Sequence, residues 1–155
     1  MGRGNLSLTL LVILLAAAAS AAAASSIPWR VAAHGVAKGV PPSDVPVAVL
    51  VTSTPGTARI VARVPASAAR TARAVNYRTS VLLGVFGPFG CTDARITVAR
   101  IVEHGRKLIV RLVRKPLPPG TMECLAIFTT YRLLVVPRRG LARVPTAAQV
   151  TLARA

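Results

Sequence analysis

The sequence predicts a mainly β domain: a small antiparallel sheet or sandwich with one short helix and one disulfide, following a signal peptide. Three observations predict it. Runs rich in Val, Leu and Ile recur at 47–52, 81–86, 96–102, 108–113 and 131–136, separated by Gly- and Pro-bearing connections. Glu103-His104-Gly105-Arg106 joins two of these runs and reads as a hairpin turn, with glycine where a positive φ is needed. A clear helical spacing shows only at 55–64. The domain plan is a signal peptide at 1–24, an N-terminal strand and loop at 25–46, and a single mainly β domain at 47–155.

Arg3 supplies a small positive n-region, 6–19 an apolar h-region, and Ala22-Ala23-Ala24 an A-x-A cleavage site before Ser25. Cleavage would leave about 130 residues, enough for one modest core. The rival reading is an uncleaved anchor over 6–24. Export to the periplasm, cell envelope or medium places the two cysteines, Cys91 and Cys124, in an oxidising compartment, where they read as one structural disulfide. Closing that loop would contribute roughly 3–4 kcal/mol in the chain-entropy model.

Taken in order, 27–36 makes a short strand ending at Gly35, with Trp29 as a core or edge anchor. Residues 36–46 form a loop, marked by Pro41-Pro42 and Ser43-Asp44. Residues 47–52 (Val-Ala-Val-Leu-Val-Thr) form a strand. Thr54-Pro55 has the form of an N-cap and first helical residue. From there Ala58, Ile60, Val61 and Val64 share one helix face, with Arg59 and Arg63 opposite, until Pro65. Residues 66–74 are rich in Ala and Arg and fit either a second short helix or a loop, with Arg70 and Arg73 as a solvated basic face.

The nearly unbroken apolar run 81–86 is a central buried strand. Gly87-Pro88-Phe89-Gly90 ends it. Ile96 and Val98 alternate with polar neighbours, and then the phase slips; a bulge near Ala99–Arg100 restores it. Leu108, Val110 and Leu112 form the return strand of the hairpin. Pro116-Leu117-Pro118-Pro119-Gly120 is a rigid loop. One long strand or two short ones cover 125–128 and 131–136, Pro137-Arg138-Arg139-Gly140 ends the regular part, and 147–153 adds an edge strand.

The net charge is +16, from 20 Lys and Arg against 4 Asp and Glu. A field of that sign attracts polyanions. The arginines are singletons spread between apolar residues, however, and specific nucleic-acid binders cluster their charge. Export also removes nucleic acid as an expected partner. Phosphate-binding glycine loops, nucleophile elbows and zinc-protease signatures are absent from the sequence. Asp93 and Glu123 each stand near a cysteine and form the sole carboxylate pair of any kind, with pairing to arginine as the plainer role. No catalytic residue, cofactor or metal set is assigned, and the expectation is a non-enzyme.

The signals across 47–136 occur in a particular order. Val75-Asn76-Tyr77 makes a turn ahead of the apolar strand 81–86. Gly87-Pro88-Phe89-Gly90-Cys91-Thr92 makes a loop, Glu103-His104-Gly105 the hairpin turn, 116–120 a proline loop and Thr130-Tyr131 the start of the last strand. This order resembles the C-terminal domain of the protease complex subunit PrcB family. In that family's pattern the loop reads Thr-Gly-Gly-Tyr, and proline precedes the final tyrosine. Here Cys91 stands for the second glycine and Thr130 for the proline. The resemblance implies a non-catalytic accessory module that binds or steadies another exported protein, such as a protease. Pro88, Phe89, Gly90, Pro118, Pro119, Gly120 and Met122 would form one tethered binding surface, with Phe89 and Met122 as its apolar contacts. The alternative is a cationic domain held on anionic envelope polymer or a membrane surface.

Overall fold

A computed structural model of the chain describes residues 26–41, 45–87, 96–116, 118–120 and 128–154. The chain forms three layers: a helical cover, a central four-stranded sheet and an outer three-stranded sheet. The strands are β1 (Arg30–Val36), β2 (Val47–Val51), β3 (Ser80–Gly87), β4 (Ile96–His104), β5 (Lys107–Arg114), β6 (Thr130–Pro137) and β7 (Ala147–Arg154). The central sheet has the order β1-β6-β3-β2 and the outer sheet β4-β5-β7. The mainly β class predicted from the sequence is therefore the class observed, in its sandwich form.

The sandwich explains why 81–86 is apolar without alternation. Val81, Leu83 and Val85 face the outer sheet with Ile101, Leu108, Val110 and Leu112. Leu82 and Phe86 face the helices with Ile60, Val64 and Ala72. An antiparallel strand usually shows a wet face; this one is covered on both. Fully burying each such Leu or Ile contributes about 1.5–3 kcal/mol. At Gly84, between the two, an added Cβ would come within 2.9 Å of the Ile60 Cδ1 methyl and 3.0 Å of the Phe86 ring. Glycine at this position lets the helical cover sit directly on the strand.

The helical cover differs from the single helix expected over 55–64. Pro55–Thr57 is a 3-10 turn, and the α-helical part that follows, α1 (Ala58–Val61), is one turn long. Thr54 is itself in the helical region and does not cap; instead the Thr57 hydroxyl donates to the Thr54 carbonyl at 2.7 Å. The ladder tightens at Arg63, whose N–H reaches Ile60 rather than residue 59, and Pro65 then forces an extended backbone. The open choice at 66–74 resolves as a helix, α2 (Ala66–Arg73), which buries Ala68, Ala69 and Ala72. Methyl side chains at that spacing let its axis approach the sheet closely.

In the outer sheet, the bulge anticipated near Ala99–Arg100 is present: the β4–β5 register shifts between Val98 and Arg100. It turns Arg100 to solvent and leaves Ile101 wholly buried. Gly105, at φ +60°, makes the hairpin turn to β5. The edge strand at 147–153 is also present, but it pairs parallel to β5, so the outer sheet is mixed rather than antiparallel. The reason lies in the connection from β6. The Glu103 carboxylate accepts hydrogen bonds from the Ala142 and Arg143 N–H groups at 2.8 and 3.3 Å. The Thr146 N–H donates to the Arg106 carbonyl at 2.8 Å. These bonds bring the chain to the hairpin end of β5, and β7 then runs alongside β5 from Lys107 to Arg114.

β1 belongs to the central sheet through its antiparallel ladder with β6, and Trp29 packs half-buried at the inter-sheet core. The signal peptide, Cys91 and Cys124 lie outside the described residues. Among the described residues there is no disulfide, and the structure lends the expected Cys91–Cys124 bridge no support. Among the described residues, no helix is long and apolar enough to cross a membrane.

Candidate functional site

The β3–β6 ladder has two ends. At one, Gly87 pairs with Thr130; at the other, Ser80 pairs with Pro137. Each end carries an open cleft.

At the Gly87 end, a pocket of about 330 Å³ is lined by Gly39, Val40, Pro41, Val45, Val47, Arg63, Phe86, Gly87 and Thr129. Its walls come from separate segments. The floor is Phe86, the last large side chain of β3. Val45 and Val47 come from the entry to edge strand β2 and are 68% and 49% exposed, so apolar surface stands open to solvent at the rim. The remaining wall, 39–41, is tied down on two sides. The Ala37 N–H donates to the Thr129 carbonyl at 2.8 Å, and the Thr129 hydroxyl donates to the Pro41 carbonyl at 3.0 Å. The Lys38 N–H donates to the Arg63 carbonyl at 2.8 Å, which couples this wall to the end of the first helical segment.

The Arg63 guanidinium lies over the Phe86 ring, 5.8 Å from its centre. That arrangement holds a cation at the mouth of an apolar cavity, and a cation–π contact at an exposed site contributes about 0.5–1 kcal/mol. Among the described residues, no carboxylate lines the pocket. Such a site can take an apolar group whose neighbour is anionic. Among the described residues, its lining holds no carboxylate, histidine or cysteine, and no group of three His, Cys, Asp or Glu is placed to hold a metal.

Of the binding-loop residues read from the sequence, Pro88, Phe89, Gly90 and Met122 lie outside the described residues, as do Asp93 and Glu123. Pro118, Pro119 and Gly120 are exposed in the connection after β5, with Gly120 at φ +80°. They do not line the pocket. Sequence reading makes Val40 and Val45 loop residues, Val47 a strand residue and Arg63 part of the helix face opposite the apolar one, and assigns none of them to a site. The available signal was the 37–46 connection itself, which carries Val40 and Val45 outside any strand.

At the Ser80 end, a cleft of about 520 Å³ is lined by Arg78, Thr79, Ser80, Pro137, Arg138 and Arg139. The histidines take no part in either cleft; His34 and His104 are exposed on β1 and at the hairpin turn.

Fold and clefts together define a helix-covered β-sandwich with an apolar, cation-rimmed surface pocket. No family model, no curated protein and no solved structure matches the chain.

Proposed function

We propose that the chain is an exported, non-catalytic binding domain that receives an apolar side chain of another exported protein in the pocket at the Gly87 end. The observation that carries this reading is the pocket's make-up. Valine, proline and phenylalanine walls are held in place by main-chain bonds and open beside Arg63. Walls fixed before binding lower the entropy lost on association. The net charge of +16 favours a partner segment with acidic residues flanking its apolar group. The resemblance of 47–136 to the PrcB C-terminal domain supports an accessory role beside a protease. Gly87 and Thr130, the points at which the chain leaves β3 and enters β6, pair at this end.

The test is capture of partners from the cell envelope at about 0.15 M and about 0.5 M salt, read by mass spectrometry, with wild-type, Val47→Asp and Arg63→Ala proteins. A discrete protein is expected to persist at the higher salt on wild type, to be lost from Val47→Asp and to be weakened on Arg63→Ala. Retention of the same protein by Val47→Asp, or release of every protein at the higher salt, would overturn the reading.

A further inference from the structure

The cleft at the Ser80 end has a different chemistry from the pocket. Arg78, Arg138 and Arg139 line it together with the hydroxyl residues Thr79 and Ser80, and among the described residues no carboxylate lines it. Of the four acidic residues in the chain, Glu103 is the one among the described residues, and its carboxylate is engaged with the 142–143 backbone.

The three guanidinium groups differ in how they are held. Arg138 is half-buried and anchored. Its N–H donates to the Thr79 carbonyl at 2.8 Å, its Nε to the Ser80 carbonyl at 3.4 Å and one terminal nitrogen to the Thr52 carbonyl at 2.9 Å. A guanidinium has five N–H donors, so Arg138 is positioned by neutral carbonyls and keeps both its full charge and unused donors. Arg78 follows an Asx turn in which its N–H donates to the Asn76 side-chain carbonyl at 3.0 Å. Arg78 and Arg139 are exposed and flank the anchored group. Ordinary solvated arginines have neither this convergence nor a main-chain-fixed member.

We propose that this cleft is an oxyanion site for a phosphate-bearing ligand. Guanidinium forks match phosphate oxygens in paired hydrogen bonds. Three cations without a counter-carboxylate suit a group of more than one negative charge, which favours a phosphate monoester or pyrophosphate over a single carboxylate. The volume, about 520 Å³, leaves room for a linked group beyond one phosphate. The β3–β6 ladder separates this site from the apolar pocket by about 23 Å at the usual rise per residue. The two can therefore be filled at once, and neither proposal depends on the other.

The test uses inorganic pyrophosphate as probe, titrated calorimetrically into the protein at about 0.15 M salt. Arg78→Ala/Arg139→Ala is expected to weaken binding at least tenfold. Arg78→Lys/Arg139→Lys, which keeps the charge but loses the fork, is expected to weaken it at least threefold. Arg70→Ala/Arg73→Ala on α2 removes the same charge elsewhere and is expected to change it less than twofold. The substituted side chains are exposed, and unchanged thermal melting confirms that the variants fold. As a readout independent of substitution, the Arg138 Nε–H resonance is expected to shift on adding pyrophosphate to wild type. Vesicles of phosphatidic acid, whose headgroup is a phosphate monoester, compared with phosphatidylcholine, show whether a lipid headgroup supplies the phosphate; the same variant pattern on vesicles supports the site with a lipid source. Equal weakening by the α2 pair, or no saturable binding of either probe, would overturn the proposal.

Discussion

Tyr77, in the turn between α2 and β3, ties back to the end of the helix through its hydroxyl. Its ring is in the helix-side core, and its hydroxyl donates to the Ala72 carbonyl at 2.8 Å, near the C-terminal end of α2. Burial pushes its pKa up to about 12, and burial also raises that of Tyr131. The folded state therefore holds the Tyr77 proton more tightly than the unfolded chain, whose tyrosine titrates near 10. The stability this contributes is complete below about pH 10 and is lost as pH rises through about 12. Tyr77→Phe is expected to lower stability by about 1 kcal/mol at neutral pH through the lost hydrogen bond. It is also expected to flatten the alkaline fall, leaving the smaller part due to Tyr131. Denaturant unfolding at pH 8, 10 and 11.5 measures both; an unchanged alkaline fall in the variant would show that Tyr77 is not its source.

At the scale of elements, the direction of β7 is decided by a residue distant in sequence. Glu103 sits on β4, yet it fixes the 138–146 connection by accepting from two successive backbone N–H groups. Glu103→Ala is expected to cost about 1–2 kcal/mol and to speed amide exchange at 142, 143 and along β7 more than along β3. Exchange mass spectrometry reads the difference, and equal effects on β3 and β7 would contradict it. The same feature shows why some elements were legible in the sequence and others were not. β3 could be read because 81–86 is apolar at every position, and the β4 bulge because Arg100 and Ile101 break a period of two. The pairing of β7 could not be read, since its direction depends on a carboxylate about forty positions earlier. For α2, Ala and Arg suit helix and loop alike until a sheet is present to bury the methyl groups. The apolar pocket draws on 39–41, Val45, Val47, Arg63, Phe86 and Thr129, and no run of sequence brings these together.

At the scale of the whole molecule, charge is the dominant unbalanced quantity. The chain carries +16, and its one described carboxylate is committed to backbone N–H groups. Repulsion among arginines therefore opposes the compact state. Raising salt from about 0.1 M to about 1 M shortens the screening length from about 10 Å to about 3 Å. The melting temperature is expected to rise by about 3–5 °C over that range, as for a gain near 1 kcal/mol in a domain of this size. A fall with salt would mean that attractive ion pairs outweigh the repulsion.

The ladder between β1 and β6 also sets the order in which the chain can finish folding. Val36 meets Thr130 and Arg30 meets Val135, so everything from 37 to 129 must be made before β1 has a strand to pair with. At ordinary rates of synthesis that interval is roughly 5–20 seconds. The first strand to emerge is thus among the last to be secured, and the central sheet is completed late in a search dominated by distant contacts.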